Sequence, residues 1–194
     1  MGLGRSKPTE LIPVKIVVAG GFGVGKTTFV TAISEIDPLG SEAIITQASY
    51  GVDELAVGGD KTTTTVAMDF GRISLKTGLI LYLFGTPGQD RFHFMWPELA
   101  RGAIGAVVLV DTRRLASCFA AVDFFEKRGT PFVVAVNTFH GKRLHDLEEV
   151  REALQIPLVV PVVYCDAREK GDVQQTLVEV AEHALTRVTG SVPG

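Results

Sequence analysis

Eight consecutive residues near the N-terminus carry the most specific chemical pattern in this sequence. Residues 20–27 read Gly-Gly-Phe-Gly-Val-Gly-Lys-Thr and fit the pattern G-x-x-x-x-G-K-[ST]. The glycines allow successive backbone N–H groups to point at one anion, and the positive end of a helix beginning there strengthens the attraction. The pattern therefore predicts a polyphosphate-binding loop, in which Lys26 reaches the terminal phosphates and Thr27 can ligate Mg²⁺. The residues expected to surround the phosphates are Gly21, Gly23, Val24, Gly25, Lys26, Thr27 and Thr28.

Short apolar runs separated by helical periodicities must position this loop. The runs are aliphatic or β-branched and nearly continuous, which is typical of strands covered on both faces, and they span residues 14–19, 79–84, 104–110, 132–136 and 158–164. Segment 65–75 alternates more and contains Asp69 and Arg72, which predicts an edge strand in a hairpin with the next run. Apolar residues at helical spacing predict helices after Gly25 and Asp111 and within 147–154 and 173–188.

Strands that alternate with helices predict an α/β fold with a mostly parallel sheet. We expect about six strands, one of them an antiparallel edge strand, with helices on both faces and the ligand at the carboxyl ends of the strands. The length of 194 residues favours one domain over 13–189, with short tails at 1–12 and 190–194. Segment 37–61 has no strong period and several glycines, and is predicted to be a long functional or mobile loop.

Composition excludes several classes of function. A net charge of −3 argues against a broad nucleic-acid-binding face. No apolar stretch reaches the roughly 18 residues that a membrane-spanning helix needs, and no signal-peptide core is recognisable. The two cysteines, Cys118 and Cys165, lie too far apart in sequence for a metal knuckle or a disulfide framework. These features favour a cytoplasmic location.

Two further segments carry a resemblance to a known family. Residues 81–92, which end in Gly-Thr-Pro-Gly-Gln-Asp-Arg-Phe, resemble the second switch of the Ras-like small GTPases, D-T-A-G-Q-E-R-F. Residues 65–70, Thr-Val-Ala-Met-Asp-Phe, resemble the first switch of Rab-type members, T-I-G-V-D-F. The resemblance covers roughly residues 14–188. The T-P-G-Q sequence and the short tail without basic residues look most like the bacterial branch, the Mgl-type gliding GTPases and the conservon GTPases of actinomycetes.

The resemblance implies a three-layer P-loop NTPase fold of the Ras-like type, with GTP or GDP and Mg²⁺ as ligands. Thr65 would close over the metal and the γ-phosphate, Gly88 would donate its N–H to the γ-phosphate, and Gln89 would orient the attacking water. Because Thr65 ends a run of four threonines, its assignment can slip by one or two positions. The implied catalytic residues are Lys26, Thr65 and Gln89, and the implied metal ligands are Thr27 and Thr65.

The base-recognition segment departs from the family's pattern. The family has N-K-x-D where residues 137–140 read Asn-Thr-Phe-His. Asn137 matches, but His140 replaces the aspartate that accepts two guanine N–H groups, and a neutral imidazole has one acceptor nitrogen. Relaxed base selectivity is therefore expected. Residues 164–168 resemble the S-A-K loop, in which the Ala167 N–H would meet the guanine carbonyl. The residues expected around the base are Asn137, His140, Asp166, Ala167 and Arg168, with Asp166 as a less favoured substitute base reader.

A second departure concerns the metal and the rate of hydrolysis. Gly85 stands where the family usually has an aspartate that holds a magnesium-bound water, so a weaker affinity for Mg²⁺ is expected. Segment 37–65 contains no arginine, so hydrolysis by the isolated chain is expected to be slow without an activating partner. The resemblance implies roadblock-type regulators and sensor-kinase assemblies as partners, with recruitment to membranes only through them.

Three functions compete on these residues. Gln89 and the phosphate loop favour a small GTPase that acts as a molecular switch. Gly85, Thr138 and His140 favour a nucleotide-dependent scaffold that no longer hydrolyses its ligand. A small kinase with the same loop is disfavoured by the glycine–glutamine second switch and by the lack of an arginine-rich lid. Release of phosphate, with and without partners, separates the first two, whereas the third requires a phosphorylated product.

Overall fold

A computed structural model of the chain describes residues 11–37, 41–46 and 63–189. In these ranges the sheet has seven strands in the order β2-β3-β4-β1-β5-β6-β7. The strands are β1 (Ile12–Ala19), β2 (Ser41–Thr46), β3 (Thr63–Ser74), β4 (Leu79–Gly85), β5 (Gly105–Val110), β6 (Phe132–Asn137) and β7 (Val162–Cys165). The helices are α1 (Lys26–Ile33), α2 (Trp96–Ala100), α3 (Phe119–Arg128), α4 (Leu147–Leu154) and α5 (Lys170–Thr189), with 3₁₀ segments at Asp90–Met95 and Thr112–Cys118.

The predicted fold class is confirmed. Strand β1 lies between β4 and β5 and runs parallel to both, and β5, β6 and β7 continue the parallel arrangement. Strand β3 runs antiparallel to β4 as the predicted hairpin, and Gly78 takes a positive φ of 83° in the turn. The continuous apolar runs form strands because helices cover both faces of the sheet and leave few positions for polar side chains.

Three element predictions are corrected by the structure. Strand β3 is not at the edge, because Ser41–Thr46 pairs with it on its outer side. The prediction of one long loop over 37–61 is therefore wrong at β2, where the strand-favouring residues Ile44 and Ile45 lie next to each other. The rest of the predicted loop, 38–40 and 47–61, lies outside the described residues. The last strand begins at Val162 rather than at 158, after two prolines, Pro157 and Pro161.

Two apolar cores hold the three layers together. One core joins α1 and α5 to one face of the sheet, and the other joins α2, α3 and α4 to the opposite face. Strand β5 shows the alternation directly, because Val107 and Leu109 lie in the first core whereas Val108 and Val110 lie in the second. The carboxyl ends of β1, β4, β5, β6 and β7 therefore bring their following loops to one edge of the sheet.

No helix in the described ranges combines the length and the apolar character that crossing a bilayer requires.

Candidate functional site

The phosphate loop connects β1 to α1 and takes the conformation that its glycines permit. Gly20, Gly23 and Gly25 have positive φ values of 139°, 71° and 108°. Such values are readily adopted by glycine and disfavour side chains. Gly25 is also the N-cap of α1 and provides no side-chain hydrogen bond to the first turn. The helix therefore begins with N–H donors available to a ligand at the positive end of its dipole.

The Lys26 ammonium lies inside this loop. Its Nζ donates hydrogen bonds to the carbonyl oxygens of Gly20 and Gly21, at 2.9 and 2.7 Å. Burial lowers the pKa of Lys26 to about 8, and the nearby negative charge of Asp69 partly opposes this shift. Gly88 comes so close that a Cβ there would lie 2.6 Å from Nζ. The loop after β4, residues 86–89, is the second loop of the site, and its backbone lies directly against the predicted phosphate-binding lysine.

Thr27 contacts a carboxylate that the sequence patterns did not single out. Its Oγ1 donates to Oδ2 of Asp69 at 2.9 Å. Asp69 lies on β3 directly opposite Gly85 on β4. The alternating pattern of segment 65–75 identified this residue as polar, but only strand register shows that it reaches the phosphate loop.

A cleft of about 490 Å³ lies between the phosphate loop and the second loop. Asp69 and residues 86–89 also line it. The Thr86 hydroxyl is buried there and has no hydrogen-bond partner among the described residues. Buried hydroxyls are normally paired, so a partner from a ligand would resolve this arrangement.

The remaining predicted catalytic residues lie beside this cleft or in β3. Oε1 of Gln89 accepts a hydrogen bond from Nε of Arg91 at 2.9 Å. Trp96 binds the loop that contains Gln89, because its Nε1 donates a hydrogen bond to the Pro87 carbonyl at 3.2 Å. Thr65 pairs in β3 with Ile44 of β2, and Thr62 lies outside the described residues.

Asn137 joins the phosphate loop to the base side of the site. Its Nδ2 donates to the carbonyl of Val24 at 2.8 Å, and its Oδ1 accepts from the N–H of Ala167 at 3.3 Å. The side chain is buried. One amide therefore fixes the loops after β1, β6 and β7 relative to each other.

The Asp166 carboxylate is occupied by its own chain. It accepts hydrogen bonds from the N–H groups of His140, Gly141 and Arg168 and from the Arg168 guanidinium. The Arg168 side chain is the main cause that holds the pKa of Asp166 far below its usual value. An ionised carboxylate offers about four lone-pair sites. As a candidate base reader, Asp166 therefore has no unused acceptor in this arrangement.

The loop after β6 has a strained backbone. Phe139, His140 and Gly141 have consecutive positive φ values of 33°, 69° and 72°. Such values disfavour a bulky residue such as phenylalanine. The ring of Phe139 lies under the Arg113 guanidinium, 3.9 Å from its centre, and Arg168 contacts Nδ1 of His140. These contacts hold the loop in its left-handed turn.

Two arginines after β5 connect the same two sides of the site. Arg113 makes a bidentate pair with the buried carboxylate of Asp111, at 2.8 and 2.9 Å, and this pair lowers the pKa of Asp111. Arg114 contacts the same carboxylate, and its Nη2 lies 3.3 Å from the position of a Cβ on Gly23. The sequence reasoning missed both residues, because their role depends on contacts with loops remote in sequence.

Comparison with known proteins agrees with this geometry. Residues 18–187 match the model of a family described as "Conserved hypothetical ATP binding protein". An uncharacterized protein of Methanocaldococcus jannaschii, MJ1339, is 36% identical over 101 residues, which cover 52% of this chain and 53% of that protein. The match thus reaches about half of the curated relative's length.

Solved structures with a similar fold include two G domains. The FeoB G domain from Methanococcus jannaschii has a TM-score of 0.60 at 14% identity, covering 90% of this chain and 99% of that chain. The G domain of the T. maritima FeoB iron transporter has a TM-score of 0.59 at 17% identity, covering 89% and 99%. At these identities the likeness concerns the fold.

Proposed function

The chain belongs to the family of conserved hypothetical ATP binding proteins, and we propose that it is a GTP- and GDP-binding molecular switch with slow intrinsic hydrolysis. Family and fold establish a nucleotide-binding P-loop protein. The observation that carries the finer proposal is the approach of Gly88 to Lys26 inside the phosphate loop. A loop that contacts the phosphate-binding lysine is placed to respond when a terminal phosphate is bound or lost.

Charge and backbone geometry support phosphate binding. The Lys26 ammonium and the N-terminus of α1 provide positive potential at one end of the cleft. The nucleotide would lie with its phosphates between the phosphate loop and residues 86–89, and with its base beside residues 137–140 and 166–168. Asn137 keeps these two parts at a fixed separation.

Mg²⁺ fits the oxygen donors at the phosphate end of this cleft. The cation prefers hard oxygen ligands and usually combines one or two protein groups with substrate phosphates. The Thr27 hydroxyl lies at the cleft and the buried Thr86 hydroxyl lacks a partner among the described residues. We assign Thr27, together with Thr65, to metal binding. The metal would neutralise charge on the phosphates when bound.

The hydrogen bond between Gln89 and Arg91 supports slow hydrolysis. The Gln89 amide oxygen is hydrogen-bonded to Arg91, so it must exchange this partner before it can orient a water molecule. Arg91 lies beside the cleft, but its guanidinium is directed to Gln89 and packs over the ring of Phe92. We therefore propose that a partner protein, of the roadblock-type regulator or sensor-kinase class implied by the resemblance, activates the reaction in the cytoplasm.

A single-turnover assay with GTP and the purified chain tests this function. We expect hydrolysis slower than about 1 s⁻¹, because segment 37–65 contains no arginine and Arg91 is hydrogen-bonded to Gln89. Gln89→Ala should lower this rate further while GDP affinity stays unchanged, and Gln174→Ala on α5 is the matched control. A rate above this limit contradicts slow intrinsic hydrolysis, and equal rates for the parent and Gln89→Ala contradict the assigned role of Gln89.

A hydrolysis-deficient scaffold is the second candidate, and the base side of the site favours it. Thr138 and His140 replace the lysine and aspartate of the family's pattern, and Asp166 has no unused acceptor. A scaffold of this kind would bind guanine and adenine nucleotides with similar affinity. It would release no phosphate even with partners present, which distinguishes it from the switch.

A further inference from the structure

We propose that Arg114 is a nucleotide-binding residue, and that its guanidinium stacks on the base of a bound nucleotide whatever the identity of that base. This inference rests on the proposed function, because it assumes a nucleotide whose base lies beside residues 137–140. It goes beyond that function, because it assigns contact with the nucleotide to the segment after β5, residues 111–118, which carries none of the motifs recognised in the sequence.

The segment after β5 packs along the phosphate loop. A Cβ added at Gly21 would lie 2.3 Å from Oγ of Ser117, and one added at Gly23 would lie 3.3 Å from Nη2 of Arg114. The backbone of Arg114 interrupts the 3₁₀ segment with φ −141° and ψ 50°. The Ser117 hydroxyl donates to the Arg114 carbonyl at 2.8 Å and thereby holds this turn. The Arg114 guanidinium consequently lies over Gly23.

Arg113 and Arg114 share one carboxylate unequally. Arg113 donates two side-chain hydrogen bonds to Asp111, at 2.8 and 2.9 Å, and its guanidinium lies over the ring of Phe139. Arg114 donates to Asp111 only through Nη2, at a long 3.4 Å. Its side chain is 52% exposed, and its other N–H groups have no acceptor in the part of the chain that the structure describes. Arg113 therefore fixes the carboxylate, whereas Arg114 keeps hydrogen-bond donors and a guanidinium plane for a ligand.

The charges of this segment leave an excess cation beside the phosphate loop. Side-chain hydrogen bonds from Arg113 hold the pKa of Asp111 below its ordinary value, so this carboxylate is ionised at neutral pH. One anion therefore faces two cations, and the weakly held cation is the one over Gly23. Position 138, which has threonine where the family's pattern has lysine, contributes no charge. A cation from Arg114 thus favours a ligand that carries negative phosphates.

The two arginines extend from the phosphate loop to the base end. Arg114 lies over Gly23, and its neighbour Arg113 covers Phe139 in the loop after β6. Arginine planes stack on aromatic faces, nucleobases included. Stacking tolerates every base, because each base has a π-face. A stacked Arg114 therefore explains how a site in which Asp166 has no unused acceptor can still bind the base of a nucleotide.

Two other roles for Arg114 predict different results. If its side chain only supports the conformation of the phosphate loop, removing it should weaken binding of an inorganic polyphosphate as much as binding of a nucleotide. If it attracts phosphates by charge alone, lysine should replace it without loss. Stacking on a base requires both the guanidinium plane and a ligand that has a base. Ligands with and without a base therefore separate the three roles.

Titration calorimetry with GDP and with ADP measures the contribution of Arg114 to nucleotide binding. Arg114→Ala should raise both dissociation constants by the same factor, roughly 5- to 100-fold, since stacking of one base contributes to that extent. Arg114→Lys keeps the charge but not the plane and should recover little of the affinity. Arg128→Ala, which removes an exposed guanidinium over Phe124 on α3, is the matched control and should bind as the parent does.

Inorganic tripolyphosphate tests the phosphate end in the absence of a base. It should raise the urea midpoint of the parent and of Arg114→Ala by the same amount, because the variant leaves the phosphate loop intact. A smaller shift for the variant would assign Arg114 to the phosphates or to the loop and would overturn stacking. The midpoint without ligand shows whether each variant folds. Arg114→Gln, which also lacks the cation and the guanidinium plane, provides the same comparison if Arg114→Ala does not fold.

The outcomes separate this inference from the proposed function. If the parent chain binds neither GDP nor tripolyphosphate, the proposed function fails and the inference fails with it. If the parent binds GDP and Arg114→Ala binds it equally well, the inference alone is overturned. A loss confined to GDP, or no binding of ADP to the parent, would contradict stacking that is independent of the base. Full affinity of Arg114→Lys for both nucleotides would contradict stacking altogether.

Discussion

The two ends of the candidate site satisfy their polar groups in different ways. At the phosphate end, which comprises residues 20–27, Asp69 and residues 86–89, the helix N-terminus has no side-chain cap and the Thr86 hydroxyl has no partner in the described ranges. At the base end, residues 137–141 and 166–168, the carboxylate, guanidinium and backbone N–H groups bind each other. The phosphate end thus offers unused hydrogen-bonding capacity, whereas the base end has little.

The difference between the two ends has separate consequences for the affinity of the nucleotide and for the selectivity between bases. A ligand group that meets an unpaired donor gains most of a hydrogen bond, but one that must displace an internal partner gains only the difference. Phosphates should therefore provide most of the binding free energy. The base should contribute mainly through stacking and shape, and its identity should matter little.

The largest effect is expected from Lys26→Ala. Loss of a charge-assisted hydrogen bond to phosphate weakens binding by roughly 10- to 100-fold, because such bonds contribute about 1.5–3 kcal/mol. Titration calorimetry with GDP measures the change. Lys127→Ala is the control, because Lys127 is an exposed helix residue paired only with Asp123 in the described structure. Equal affinities of the parent and Lys26→Ala for GDP would contradict phosphate binding at this end of the site.

The next effect concerns the residue that links the two ends. Asn137→Ala leaves the Val24 carbonyl and the Ala167 N–H without their partner, and both groups are in buried surroundings. We expect the free energy of unfolding to fall by about 1–3 kcal/mol, as measured by urea denaturation. GDP should slow unfolding less in this variant than in the parent. Gln155→Ala, at the end of α4, tests an amide that lies away from both loops, and an equal loss there would deny Asn137 a special role.

A smaller effect is expected on the selectivity between bases. It tests directly whether the hydrogen-bonding groups of the base end are already paired. The dissociation constants of GDP and ADP should differ by less than about tenfold, because Asp166 is saturated and His140 offers at most one acceptor. A site with a free carboxylate aimed at the guanine N–H groups could discriminate by about 10⁴-fold. A preference of that size for GDP would show that the base end rearranges on binding and that its internal bonds are exchanged.

What the sequence could predict differs between the ends for a physical reason. The phosphate loop is contiguous, so its glycines, Lys26 and the following helix specify the local backbone by themselves. Asp69 reaches the site only because β3 pairs with β4 in one register, and the partners of Asp166 come from two separate loops. Strand β2 was missed for the same reason, since its apolar residues Ala43, Ile44 and Ile45 pair with Val66, Thr65 and Thr64, which come much later in the sequence.

The smallest effect is in the reactivity of the two thiols, which report on the two ends separately. Cys118 follows Ser117, which packs against Gly21 of the phosphate loop, and Cys165 directly precedes Asp166. Burial raises the pKa of Cys118 to about 12 and that of Cys165 to about 11, so neither thiol carries much thiolate at pH 8. Both should react with a thiol reagent only when the local structure opens, and at full speed after unfolding.

If the phosphate end provides most of the contact with the nucleotide, bound GDP should protect Cys118 more than Cys165. The single variants Cys118→Ser and Cys165→Ser leave one thiol each, so their labelling rates with and without GDP give the protection at each end. Equal protection of both thiols would mean that the ligand stabilises the fold as a whole. It would not support a difference between the phosphate end and the base end. Greater protection of Cys165 would contradict the expected difference, because the base end would then hold the ligand more firmly than the end that carries Lys26.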